Sequence, residues 1–245
     1  MIPISKTVKL IAVILAVTFI CACTNKVWEF KTGAKVESSP TIINGYVYAG
    51  SFDRKVYCLD AANGKKTWEF ATGDLVFSSP AVSNGYVYVG SSAGKVYCLN
   101  EANGKKLWGF DTGHEVISSP AVSGEYVYVG SVGDSVYCLN ATTGEKVWEF
   151  VTGHEVKSSP AVTGGYVYVG CGGSYDHKLY CLNAATGEKV WEFVTGAAVF
   201  SSPSVSGGYV YVGCDNGKVY CLRAAVGDTG SWPMFRYNPE RTGAN

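Results

Sequence analysis

The chain has 245 residues, 20 lysines and arginines balance 20 aspartates and glutamates, and charged residues make up 16% of it, against about a quarter in an ordinary soluble domain. With no net positive field to hold a phosphate backbone, nucleic-acid binding is excluded. An apolar fraction of 47% excludes a disordered chain, and the absence of any long apolar period of 3.6 after residue 25 makes all-β the expected class.

The first 23 residues differ in kind from the rest. Lys6 and Lys9 precede the apolar run Leu10 to Ile20, and Cys21-Ala22-Cys23 follows at once. That is the layout of an export signal, and the run is shorter than the roughly 20 residues of a membrane span. Counting on through Cys23 leaves an uncleaved anchor as the alternative. Ile20-Cys21-Ala22-Cys23 resembles the bacterial lipobox, with Cys21 at its tolerant position. The resemblance implies that Cys23 becomes a lipidated N-terminus that anchors the rest to a membrane surface. Thr24 in place of Asp implies the outer membrane of a Gram-negative envelope.

A tandem repeat follows, in units 26–65, 66–105, 106–145, 146–188 and 189–228, with residues 229–245 left as a tail. The shared pattern is K-x-W-E-F-x-T-G-x-x-V-x-S-S-P-x-V-x-x-x-Y-V-Y-V-G-S-x-x-x-K-V-Y-C-L-N-A-x-T-G. All tyrosines except Tyr175 and Tyr237 are repeat positions, so nearly all the aromatic mass is scaffold. In the second unit, strands are expected at Thr67 to Ala71, Val76 to Val82, Tyr86 to Gly90 and Lys95 to Leu99, separated by turn residues such as Asn84-Gly85. Both alternating faces of the last two are apolar, so the sheets are covered on both sides. Four strands in about forty residues fit a β-propeller blade, and blades around a ring bury both faces.

The turn Cys98-Leu99-Asn100-Glu101-Ala102-Asn103-Gly104, with Trp108 after it, resembles the tryptophan-docking motif of the PQQ-like propeller repeat. It recurs before Trp68, Trp148 and Trp191, with cysteine where the family usually has alanine. The resemblance implies that Trp28, Trp68, Trp108, Trp148 and Trp191 each stack on the turn of a neighbouring blade. In the last copy Arg223 and Val226 depart from the motif. The tail from Ser231 to Gly243 also resembles a segment found at the ends of such proteins.

Five copies of the inner strands give five four-stranded blades, fewer than the eight common in the family. The simplest closure pairs Lys26 to Thr32 with Lys218 to Leu222, so that terminal strands lock the ring, and a monomer is then expected. The rivals are closure by Ser231 to Tyr237, or an open arc that closes by oligomerising. Cys58, Cys98, Cys138, Cys181 and Cys221 are equivalent positions, and blades about 10 Å apart exceed the Cα limit of roughly 7 Å for a disulfide. They are expected to be buried thiols. Cys171 and Cys214 fill a serine position, and a bridge between them needs the ring to narrow there.

Near-identical blades argue against an active site, which needs different groups converging on one point. His114 and His154 sit in matching loops, Asp176 and His177 lie on a three-residue insertion, and neither set makes more than a weak metal site. No phosphate loop, nucleophile elbow or zincin motif occurs. The quinoprotein dehydrogenases that share the repeat carry an adjacent cysteine pair, which this chain lacks. No catalytic residue, no metal and no cofactor is therefore expected. The position before Ser-Ser-Pro and the loop ahead of it vary between blades: Lys35, Glu37, Asp74, Phe77, Glu115, Ile117, Glu155, Lys157 and Phe200. This rim is the place to look for a protein partner. The expected function is a noncatalytic, envelope-anchored scaffold resembling the outer-membrane assembly lipoproteins of the BamB type. The alternative is a small PQQ- or carbohydrate-binding envelope enzyme.

Overall fold

The structure is a computed structural model that describes residues 25–173 and 177–225. Cys23, the insertion at Asp176 and the tail with Trp232 lie outside the described residues. Blade one comprises β1 (Thr41–Ile43), β2 (Tyr46–Ser51), β3 (Lys55–Asp60) and β4 (Lys66–Ala71). Blade two is β5 (Ala81–Ser83), β6 (Tyr86–Ser91), β7 (Lys95–Asn100) and β8 (Lys106–Asp111). Blade three is β9 (Ala121–Ser123), β10 (Tyr126–Ser131), β11 (Ser135–Asn140) and β12 (Lys146–Val151). Blade four is β13 (Ala161–Thr163), β14 (Tyr166–Gly170), β15 (Lys178–Asn183) and β16 (Lys189–Val194), and blade five has β17 (Ser204–Ser206), β18 (Tyr209–Cys214) and β19 (Lys218–Arg223). Each is an antiparallel meander, four-stranded in the first four blades and three-stranded in the fifth. The expected all-β propeller of five blades is what forms.

The innermost strand is shorter than the sequence suggests. In blade two it begins at Ala81, because Pro80 has no N–H and the residues before it spend their hydrogen bonds otherwise. The first serine of each Ser-Ser-Pro closes on its own blade: the Gly90 N–H donates to Ser78 Oγ at 3.0 Å, and Ser118 Oγ donates to the Gly130 carbonyl at 2.8 Å. The second serine joins the blades. Ser39 N–H donates to Ser79 Oγ, Ser79 to Ser119, Ser119 to Ser159 and Ser159 to Ser202, at 2.8 to 3.0 Å.

The valine of V-x-S-S-P is the knob of each joint. A Cβ on Gly50, Gly90, Gly130 or Gly170 would stand 2.2 to 2.4 Å from Cγ1 of Val76, Val116, Val156 or Val199 in the next blade, so only glycine leaves room. All four valines are fully buried, which stabilises each joint by about 1.5–3 kcal/mol per side chain. Around this contact, Tyr48, Val56, Cys58 and Trp68 of blade one pack on Val76, Val87 and Leu99 of blade two. The later joints repeat the arrangement.

Closure by the terminal strands is where the structure departs from expectation. Lys26 to Thr32 forms no strand and pairs with nothing in β19; it lies on blade one instead, the Trp28 indole donating to the Ala61 carbonyl at 2.9 Å. Val36, the first knob, is 45% exposed, and only Ser201 lies within 4 Å of a Cβ on Gly213, the last hole. On β19, Val219 is 79% exposed where its counterparts Val56, Val96 and Val136 are fully buried. The blades form an arc with two open ends. The reason lies in the joints, whose shared contacts set one rotation per blade, and after four such steps the ends have not met.

Candidate interaction surface at the rim and the docking girdle

The turn after each third strand is built to receive an indole. In blade two, Asn100 Oδ1 accepts the N–H groups of Ala102 and Asn103, and the Gly104 N–H donates to the Asn100 carbonyl. That fold of the chain puts Gly104 at φ 69°, where a side chain is strained. A Cβ there would also lie 2.6 Å from the Trp68 ring. Trp68, Trp108 and Trp148 donate to the carbonyls of Glu101, Ala141 and Ala184 in the next blade at 2.8 to 2.9 Å. Trp191 packs among blade-five residues including Ala224 and Leu222. Arg223 replaces the Asn or Asp acceptor of that turn. At the end of each third strand, a register shift at Cys58/Leu59, and again at Cys98, Cys138 and Cys181, sets the tryptophan opposite the cysteine.

None of the seven described cysteines is in a disulfide, and Cys221, expected to be buried like its four counterparts, is exposed because no further blade covers β19. Burial pushes the Cys58 thiol up to about 11 and those of Cys98, Cys138 and Cys181 up to about 12, a tyrosine hydrogen bond opposing the shift in each. A group that holds its proton more tightly folded than unfolded stabilises fully below the unfolded value near 9 and loses that contribution as pH rises through the folded one. The thermal midpoint should therefore fall from about pH 9 upward, and Cys138→Ala should flatten that fall. At neutral pH a thiol reagent should modify the exposed Cys221 first and leave these four untouched until the protein unfolds; equal rates at all five would contradict the packing.

The rim residues divide into contacts across joints and solvated positions. Phe77 sets its ring against Phe52 of blade one, centroids 4.4 Å apart and edge to face. Phe200 covers Gly172 of blade four, where a Cβ would be 2.2 Å from the ring, and Lys157 Nζ stands 5.1 Å over it. Glu155 forms an ion pair with Lys157. Ile117 is half-buried, Glu115 is exposed, and Asp74 turns back to accept the Leu75 N–H. Lys35 and Glu37 are exposed at the open end of blade one. The structure thus gathers Glu155, Lys157 and Phe200 into one patch, holds Phe77 in a second, and leaves the other rim positions apart. Phe52 was not visible as a rim residue; its position holds Ser92, Val132, Gly172 and Asp215 elsewhere, and that variation was the available signal. Among the described residues, no group of three histidines, cysteines or acids could hold a metal; His114 is exposed and His154 half-buried.

A family model described as outer membrane protein assembly factor BamB matches residues 22–115 and 92–231. The chain belongs to that family. No curated protein matches it. Among solved structures, BamB from Moraxella catarrhalis is 20% identical over 84% of this chain and 76% of that one, with a TM-score of 0.57. The computationally designed Ika8 protein is 16% identical over 80% of this chain, with a TM-score of 0.72. Quinohemoprotein alcohol dehydrogenase ADHIIG from Pseudomonas putida HK5 is 20% identical over 82%, with a TM-score of 0.69. The chain spans 61% and 42% of the latter two. At these identities the three likenesses show the fold.

The dehydrogenase likeness raises the fit of a quinone. Such a cofactor is a polycarboxylate that asks for unpaired cations, whereas the Lys157 of the rim patch is taken by Glu155. Cys58, Cys98, Cys138 and Cys181 are buried between blades and offer no accessible thiol to it. The rim patch and the buried thiols do not fit the group.

Proposed function

We propose that this chain is an exported, lipid-anchored, noncatalytic propeller that binds other proteins of the cell envelope and serves outer-membrane protein assembly. Membership of the assembly-factor family carries the reading. The rim supports it, since Phe200 presents ring surface beside Lys157 in one patch and Phe77 packs on Phe52 in another, on loops that a rigid scaffold fixes. In this reading residues 1–23 are the signal, 24–228 the propeller and 229–245 a tail. A photo-crosslinking residue at Phe77 or Phe200 should trap a defined envelope protein in cells, and one at Asn63 on a docking turn should not. A quinone absorption band from the purified protein, with no rim crosslink, would overturn the proposal in favour of the small envelope enzyme.

Lipidation at Cys23 has its own test. Cys23→Ser should release the protein from the membrane fraction or leave an unprocessed precursor, and the native form should gain the mass of acyl chains. Only Thr24 and Asn25 separate that cysteine from the segment docked on blade one, a reach of about 3.3–3.6 Å per residue. Full-length, membrane-bound protein before and after the change would make the apolar run an uncleaved anchor.

A further inference from the structure

The open ends of the arc are not alike, and each is half of the joint that the molecule makes four times within itself. Blade five offers the hole at Gly213, with Tyr211, Val219 and Cys221 exposed around it. Their counterparts Tyr48, Val56 and Cys58 are buried against blade two. Blade one offers the knob: Val36 is 45% and Ile42 38% exposed, where Val76 is fully buried and Val82 nearly so. The serine relay is unfinished at both ends. It runs Ser39, Ser79, Ser119, Ser159, Ser202, each N–H donating to the next hydroxyl, so the Ser202 N–H and the Ser39 hydroxyl are the donor and acceptor ends of the relay.

We propose that a second copy of this chain docks head to tail at these ends, its blade five seated on blade one of the first. Segment 26–32 of the first copy then becomes the fourth strand of the second copy's blade five. That segment is already placed for the role. Trp28 sits on the Ala61 turn as Trp68 sits on the Glu101 turn, and Phe30 meets Tyr57 at 5.3 Å as Phe70 meets Tyr97 at 5.2 Å. The repeat fixes the register: Cys58 faces Trp68 and Val56 faces Phe70 in blade one, so Cys221 faces Trp28 and Val219 faces Phe30. Glu69 takes Lys55 and Lys66 together; Glu29 holds Lys26 and has an oxygen for Lys218.

Two other occupants fit less well. Closure of the chain on itself needs four joints, already locked by a valine within 2.4 Å of a hypothetical Cβ, to rotate further, while a second copy needs no joint to change. The tail from residue 226 holds no V-x-S-S-P segment, so it lacks both the knob and the serine pair. The monomer expected from the sequence rested on terminal-strand closure, which the structure does not contain. A heterologous contact of this kind repeats until rotation closes a ring or a chain of copies grows. The inference goes beyond the proposed envelope role and does not rest on it.

The test uses the full chain in detergent. Sedimentation over a range of concentrations should show species of two or more copies that dissociate on dilution, and labelling of Cys221 by a thiol reagent should slow as they form. Val36→Asp and Val219→Asp alter side chains that are exposed in the single chain, so each variant should keep its thermal midpoint and lose the assembly. Mixed together, the two should recover a one-to-one pair, because each retains one intact end. Lys31→Asp should tighten the joint, placing an acid opposite Lys218 as Asp111 lies opposite Lys95. A single-chain species at every concentration overturns the proposal whether Cys221 is protected or not, and failure of the mixture to pair overturns its head-to-tail form.

Discussion

Gly130→Val should lower the thermal midpoint by roughly 6 to 12 °C, corresponding to about 3 kcal/mol for a domain of this size. The first added carbon would lie 2.3 Å from Val156 Cγ1 and 3.0 Å from the Val156 carbonyl oxygen. Neither neighbour can withdraw, since Val156 is fully buried among Tyr180, Leu182 and Val167, and its backbone N–H is held by the Ser131 carbonyl at 3.0 Å. The penalty is one of overpacking and not of backbone conformation, because Gly130 is not among the glycines of positive φ. Gly213→Ala supplies the control: in the single chain the equivalent carbon would meet only Ser201, at 3.3 Å or more, and in dilute protein its midpoint should stay near that of the native protein. Calorimetry on the two variants decides the point, and equal midpoints would mean that the valine and glycine do not form the joint.

The blades were legible because each rests on local rules repeated five times. The alternation in Tyr86-Val87-Tyr88-Val89, the Asn84-Gly85 turn and the Thr-Gly after each third strand need no distant partner to be understood. The absence of bridges was legible for the same reason, as equivalent positions one blade apart cannot reach each other, whereas the exposure of Cys221 was not, because it follows from the missing neighbour of β19. Closure was not, because it depends on the angle at each joint, and that angle is set by how deeply Val76 enters over Gly50 across two blades. Nothing in the pattern of a single strand contains that depth. The knob and hole were present in the sequence as the invariant V of V-x-S-S-P and G of Y-V-Y-V-G. Reading them as partners required knowing which blade follows which, and on which face. The rim was half legible: variation before Ser-Ser-Pro marked Phe77, Lys157 and Phe200. The grouping of Lys157 with Phe200 and Glu155 arises only from the contact between blades four and five.

Trp108→Ala should cost about 3–5 kcal/mol, the range for removing a large buried aromatic side chain, and should do more than lower one midpoint. The indole joins blade two to blade three through its N–H to the Ala141 carbonyl at 2.9 Å and its face over Gly144, and within blade two its ring meets Tyr88 at 5.9 Å. Repeats that touch only their neighbours share stability through such joints, so weakening the second of four should split one unfolding transition into two. Trp108→Phe keeps most of the ring and loses only the N–H. Ala141 still accepts the Tyr88 hydroxyl at 3.1 Å, and that variant should lose about 1 kcal/mol. Trp28→Ala removes the same side chain at the end of the array, where it is half-buried and joins blade one to segment 26–32 alone. In dilute protein it should release that segment and leave the main transition in place. Differential scanning calorimetry of the three variants separates an open arc from a closed ring, because a ring has no terminal joint. Equal losses from Trp28→Ala and Trp108→Ala at high dilution would show that blade five and blade one are joined within a single chain.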